Sequence, residues 1–283
     1  MKKNIILGLL LLSQIASIFG QKAVAPHQKI AQFYKTTTCI VFDSDIFNTY
    51  NSAIEEAVKH TWGITPYKFI SMDQFKTMMH NPKYSFLVRT KVVPEKNKTG
   101  VAYTFLSLVL GERDKNFDEL TEICSFPLSY YNTDYDKYDY KMGALLLFIQ
   151  NHINITYNNP DLTSRNILSF YNRNIKKIGD KTIYFTADNL AKNVNTPDKI
   201  KKYYSGRVKI VKPEVIRNLI NTKDRNAIIL HIVSPPGDNS KLGKCYKMLI
   251  GAGDGLLYYY NWHKVSKKKP GKFLKQDFTK LNK

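Results

Sequence analysis

Two apolar rhythms alternate along the chain. Runs of four to nine residues that are wholly apolar, or apolar at every second position, fit strands; stretches with apolar residues at every third or fourth position fit helices. "TCIVFDSD" (38–45) predicts a β-branched strand entering an acidic turn, "NSAIEEAVKHTWG" a helix, "YKFIS" (67–71) a short strand, "MDQFKTMMHN" a helix and "SFLVRTKVV" an apolar strand. The same order then returns as "TIYFTAD" (182–188), "TPDKIKKYYSG", "VKIVK" (208–212), "PEVIRNLINT" and "AIILHIVSP". Each series continues with a Pro-containing loop and K-x-G-x-x-Y: Lys98, Gly100 and Tyr103, then Lys241, Gly243 and Tyr246. The separations Ile40 to Ile183, Tyr67 to Val208 and Gly100 to Gly243 are 143, 141 and 143 residues, so one unit is used twice.

Each series closes with another strand and helix: "EICSFPLS" with "YKMGALLLFIQNHI", and "LLYYYNWHKVS" with "KFLKQDFTKL". Strands separated by helices predict parallel pairing, and the short loop between the last two long strands predicts an antiparallel hairpin. The expected fold class is α/β, a tandem repeat of two related β-α-β-α-β-β(-β-α) domains with mixed sheets. The division is 1–20 signal peptide, 21–35 N-terminal segment, 36–150 first repeat, 151–179 linker and 180–283 second repeat. In the N-terminal segment, Ile30, Phe33 and Tyr34 allow one short amphipathic helix. In the linker, Ile167, Leu168, Tyr171, Ile175 and Ile178 share a helix face, and Gly179 suits its left-handed cap. Turn chemistry accounts for the glycines of K-x-G-x-x-Y, since a hairpin loop favours a residue free to take positive φ.

The first twenty residues, "MKKNIILGLLLLSQIASIFG", have the basic start, apolar middle and small-residue end of a cleaved export signal. The mature chain is therefore expected to be exported, periplasmic or envelope-associated, with no transmembrane segment; "MGALLLFI" (142–149) is too short to cross a bilayer and reads as core. A formal charge of +20 directs the chain towards anionic partners. Behind an export signal, nucleic acid is set aside, which leaves lipid headgroups, lipopolysaccharide or acidic glycan. Cys39, Cys124 and Cys245 read as buried small hydrophobes, with pairing of Cys39 and Cys124 left open, and no cysteine has the spacing of a metal ligand.

Chemistry enters first at "IVFDSDIFN" (40–48). Asp43-x-Asp45 after an apolar strand resembles the first motif of haloacid-dehalogenase-like phosphatases, which implies a nucleophile at Asp43 and an acid/base at Asp45. Position 47 is Phe where that family has a small β-branched residue, and Asp254 in "GAGDG" lacks the second carboxylate that magnesium would need. Aligning the halves sets Asp43 against Thr186 and Asp45 against Asp188, so the recurring acid reads as the cap of the following helix. Asp134, Asp136 and Asp139 fall short of a calcium loop. His27 and His152 read as solvated near element ends, His60, His80 and His231 as structural. Strand alternation puts Tyr258, Tyr260 and Trp262 on one face and His263 on the other. No metal or cofactor is called for.

Two surfaces are singled out for binding. The loop "YYNTDYDKYDYK" offers Tyr130, Tyr131, Tyr135 and Tyr138 as rigid contact residues. Near the C-terminus, Lys264, Lys267, Lys268, Lys269, Lys272 and Lys275 form an anionic-surface tract. The "FGQ" signal end and the Lys/Asn/Tyr-rich chain resemble uncharacterised exported proteins of Bacteroidetes-type bacteria. The element order of each half is similar to the small α/β domains of envelope proteins such as the N-terminal domain of TolB. Together these imply a non-enzymatic binding or assembly module for another envelope component. The alternative is a periplasmic hydrolase of phosphoesters or glycans, with Asp43 and Asp45 the residues to test.

Overall fold

The computed structural model of the chain describes residues 24–45, 49–94, 100–134, 137–236 and 243–282, and the backbone of 11–14. Most of the stretch expected to be an export signal lies outside the described residues, as do Lys98, Lys241, Tyr135 and Asp136. Within that stretch, β1 (Leu11–Gln14) runs parallel to the distal part of β4 (Tyr84–Pro94).

The first half follows the order α1 (His27–Phe33), β2 (Thr37–Val41), α2 (Tyr50–Thr61), β3 (Tyr67–Ile70), α3 (Met72–Met78), β4 (Tyr84–Pro94), β5 (Tyr103–Leu110), β6 (Glu122–Tyr130) and α4 (Met142–Asn158). The second half has α5 (Ile167–Asn172), continued as a 3-10 turn over Arg173–Lys177, then β7 (Thr182–Phe185), α6 (Pro197–Lys201), β8 (Arg207–Ile210), α7 (Pro213–Asn221), β9 (Ala227–Val233), β10 (Lys244–Gly251), β11 (Leu257–Lys264) and α8 (Lys275–Leu281). The sheets run β3-β2-β4-β5-β6 and β8-β7-β9-β10-β11. In both, the first strand pairs in parallel with its two neighbours and the next two pairings are antiparallel. The tandem α/β repeat with mixed sheets is the fold.

The hydrogen bonds that open the strands refine the alignment of the halves. Thr37 N–H donates to Lys83 O and Thr182 N–H to Asn226 O; just before them, Thr36 N–H donates to Phe33 O and Lys181 N–H to Ile178 O. Thr37 thus matches Thr182, two residues from the match made on sequence, and Asp43 counts opposite Asp188 instead of Thr186. A two-residue slip keeps every side chain on its face, so the apolar pattern could not detect it. The same bonds extend the repeat backwards. Ile30 and Phe33 of α1 occupy the places of Ile175 and Ile178, so the segment before each first strand belongs to its half. The expected linker helix is real, but it tightens to a 3-10 turn after Asn172: Ile167 and Tyr171 reach one core, while Ile175 and Ile178 serve another. Gly179, at φ 48°, ends it as expected.

Helix ends are fixed locally. Ser71 and Gln74 form a reciprocal capping box at α3, with the Gln74 N–H donating to Ser71 Oγ at 3.2 Å and the Ser71 N–H to Gln74 Oε1 at 2.9 Å. Pro213 opens α7, where the missing N–H costs no helical bond.

Three cores separate five layers. Phe75 of α3 packs edge-on to Phe86 and Phe117 at 5.0 and 5.6 Å on the outer face of the first sheet. Between the sheets, α1, α2, α4 and α7 share one core with Ile40, Leu87, Leu106, Ile229, Met248 and Tyr260. Outside the second sheet lie α6 and α8, through Ile200, Phe278 and Leu281. In each half the helix after the first strand and the closing helix cover one face and the helix between them the other, so the face of the first half that carries α2 and α4, with α1 beside them, meets the α7 face of the second. Beyond the helices the sheets touch directly: Phe126 stacks on His231 at 5.5 Å, and Tyr103 sits edge-on to Tyr246 at 5.4 Å. The Tyr103 hydroxyl accepts from Lys244 N–H at 2.6 Å and donates to Lys244 O at 2.8 Å, taking the ladder position beyond the end of β9.

The hairpin glycines differ in their reasons. Gly100 has φ 71°, as turn chemistry requires. Gly243 is instead a close approach, where an added Cβ would stand 2.1 Å from Pro235 Cγ.

Candidate functional site

Asp43 lies at the end of β2, where connections depart to either side of the sheet. In such sheets this switch point is the usual ligand crevice. Here it is closed by side chains. Asp43 Oδ2 is ion-paired with Arg89 of β4, Oδ1 accepts the Asp45 N–H at 3.1 Å, and the Asp43 N–H donates to Asn51 Oδ1 at 2.8 Å. The Arg89 guanidinium lies 4.2 Å from the centre of the Tyr50 ring. Asp43 is thus a turn former locked to a buried arginine. Helix capping does not account for Asp45 or Asp188: α2 begins five residues after Asp45 with Thr49 at its N-cap, and Asp188 lies inside a 3-10 turn. The structure brings Asp43 and Asp45 together, and the group that engages Asp43 is one the sequence argument left out.

The second half buries a different charge cluster. Lys247 Nζ donates to both carboxylate oxygens of Asp277 at 2.6 Å, and Tyr259 Oη, Asn261 Nδ2 and the Leu274 N–H donate to the same carboxylate at 2.7, 2.9 and 2.8 Å. Burial alone would raise the Asp277 carboxyl, but the Lys247 ammonium and these donors hold it below its ordinary range. The arrangement seats α8. Asp277 falls on the stripe Leu274, Phe278, Leu281, and a carboxylate on an apolar helix face was the signal that could have revealed it.

A third carboxylate, Glu112, is held down to about 2 despite burial by Lys29, Lys115 and Thr121, which ties α1 to the β5–β6 connection. His152 and His231 lie where the halves meet. Burial lowers His152 to about 4, and burial, then Lys141, lowers His231 to about 3. His152 is therefore not solvated: its Nδ1 lies 2.8 Å from Tyr171 Oη, inside the core. The cysteines are buried and free, with Cys39 and Cys124 facing opposite sides of the first sheet, and burial pushes the thiols of Cys39 and Cys245 up to about 11 and about 12.

Of the tyrosine loop, Tyr138 is buried in the shared core, which corrects its reading as an exposed contact residue. Tyr130 is half-buried edge-on to Tyr103 at 5.8 Å, and Tyr131 carries the Lys91 ammonium 4.2 Å from its ring centre. Tyr130 and Tyr131 line a shallow hollow with Asn132, Lys137 and Pro236. Asp139 turns away from the loop to Arg217 at 3.3 Å.

The lysine tract is arranged differently. Lys264, Lys267, Lys268, Lys269 and Lys275 are exposed, while Lys272 is half-buried with its ammonium on Asp188 O. Beside them Trp262 is 42 % exposed, and the Lys244 ammonium lies 4.7 Å from its ring centre. Partial burial, then the neighbouring Lys264 charge, pulls the Lys244 ammonium below its ordinary value. His263 lies on the face of β11 opposite Trp262, as alternation predicts, with Nε2 2.9 Å from Pro270 O. Tyr258, however, does not share the face of Tyr260: a bulge in the β10–β11 ladder turns it to the outer core beside Tyr259.

Further along β11, on whose outer edge no strand pairs among the described residues, Ser169, Asn172, Arg173, Lys176, Tyr260 and Lys280 help line an open groove of about 450 Å³. No contiguous motif marks it, because its cations come from segments about a hundred residues apart. Among the described residues no helix is long and apolar enough to cross a membrane. No protein-family model matches the chain, and neither does any curated protein or any solved structure.

Proposed function

We propose that the mature chain is a non-enzymatic exported protein of the cell envelope that docks on an anionic surface through the rim formed by Trp262, Lys264 and Lys267–Lys269. The observation that carries this reading is the exposure of these side chains together on one rim of the second half. Residues 255–276 hold six lysines and no Asp or Glu, so nothing within that stretch neutralises the tract. Each lysine near a charged bilayer contributes about 1 kcal/mol. An exposed Trp is at home where one end of a side chain meets apolar matter and the other meets water. The leader at residues 1–20 supports placement in the periplasm or envelope. The hydrolase alternative draws no support from Asp43, whose carboxylate Arg89 engages.

Co-sedimentation of the mature protein with phosphatidylglycerol-containing and neutral vesicles tests the proposal. Wild type should sediment with the anionic vesicles alone. A Lys267/Lys268/Lys269→Ser variant should partition roughly a hundredfold more weakly, as about 3 kcal/mol implies. Equal sedimentation of the two proteins would overturn the reading.

A further inference from the structure

We infer that the groove along the outer edge of β11 is a binding site for a phosphomonoester, with the phosphate held between Arg173, Lys176 and Lys280. These cations arrive from two directions, Arg173 and Lys176 from the 3-10 turn after α5 and Lys280 from α8, and all three line one concavity. No carboxylate among the described residues lines it. Among the described residues none of the three cations is ion-paired, whereas Arg89, Arg207 and Arg217 each are. The nearby acid is already consumed: Asn261, at the groove wall, donates inward to Asp277, which Lys247 neutralises.

The groove is also built rather than left over. Asn172 Oδ1 accepts the Tyr260 N–H at 2.8 Å and its Nδ2 donates to Tyr260 O at 3.1 Å, so a side-chain amide takes the place of a neighbouring strand and fixes the wall. Asn174 Nδ2 does the same at Leu257 O, at 3.0 Å. The Arg173 guanidinium lies 5.2 Å from the centre of the Phe170 ring, which limits its freedom before any ligand arrives. Three cations lining one groove suit a dianion with several acceptor oxygens better than one carboxylate, and guanidinium geometry matches phosphate. Ser169 on the groove lining offers a hydroxyl to a hydroxylated carrier.

The phosphate is carried either by a soluble sugar phosphate or by a lipid headgroup. Calorimetry with glucose 1-phosphate and sedimentation with phosphatidic acid vesicles, against phosphatidylglycerol vesicles of equal surface charge, separate the sources. Saturable glucose 1-phosphate binding that falls at least tenfold in Arg173→Gln/Lys176→Gln/Lys280→Gln supports a soluble ligand. A preference for phosphatidic acid that the same variant abolishes supports a headgroup. Binding should weaken from pH 7.5 to pH 5, as the phosphate loses its second charge near pH 6. Lys176→Glu, one exposed substitution, should show the same loss with an unchanged melting temperature. The Lys267/Lys268/Lys269→Ser variant should keep glucose 1-phosphate binding, so failure of the rim and failure of the groove are told apart. Absence of binding in both arms, or a triple variant that binds as wild type does, would overturn the assignment.

Discussion

The long hairpins of the two halves each bury one cation at the same cross-strand pair, but on opposite strands. In the first half Arg89 of β4 faces Leu106 of β5; in the second Ile232 of β9 faces Lys247 of β10. The carboxylates come from different places as well. Arg89 takes Asp43 from the loop after the first strand, and Lys247 takes Asp277 from the closing helix. The fold tolerates an aliphatic side chain at either position, so neither charge is a requirement of the architecture. Each pair instead fastens a further element to the hairpin, a loop in one half and a helix in the other. Buried ion pairs add little net stability over an apolar isostere, while breaking one strands a charge.

The largest expected effect follows from that asymmetry. Lys247→Met should lower stability by about 3–5 kcal/mol in chemical denaturation, because Asp277 is left buried and uncompensated. Arg89→Ile, which copies the second half, should cost less, since Asp43 is nearer to water. If Arg89→Ile proves the more damaging, the contrast between the halves is misread. Acid attacks the joint between the halves next. His152 and His231 titrate below their ordinary value when folded, so the unfolded chain binds more protons between that value and the lowered ones. Stability should be complete above about pH 6.5 and decline as pH falls towards 4, by on the order of 3 kcal/mol per histidine once both are fully titrated. His231→Gln should flatten part of that decline in urea melts recorded across the range. The smallest effect belongs to the first hairpin, where Gly100→Ala should cost about 1 kcal/mol for its positive φ.

The order of strands and helices, the duplication, the antiparallel hairpins and the burial of α4 were legible in the sequence, because each rests on apolar periodicity. What depends on register was not. A slip of two residues preserves the pattern of faces, and so misplaced Asp43 against Thr186 and the K-x-G-x-x-Y motifs against each other: by the ladder, Tyr246 corresponds to Phe105. The correspondence between the segments before each first strand is hidden in the sequence because Ile30 and Phe33 sit on an α-helix and Ile175 and Ile178 at a 3-10 turn. Tyr138 was read as a loop residue because its neighbours are polar, yet it turns into the core ahead of α4. Arg89 and Lys247 stood in plain view within apolar strands, and a lone cation in such a run is itself a cue to look for a distant acid. The lysine tract was found because it is contiguous, and the β11 groove was missed because it is assembled across the fold.

The meeting of unlike faces carries a consequence for how this molecule changes over time. In a symmetric pair, one altered residue appears on both sides of the seam and must suit itself. Here the helix-covered contact surfaces are opposite faces of the repeat, so outside the direct strand contact, where Phe105 meets its own counterpart Tyr246, each side is free to drift against a fixed opposite. The seam is accordingly the place where the two copies are expected to have diverged most, with histidine, proline and tyrosine now meeting across it.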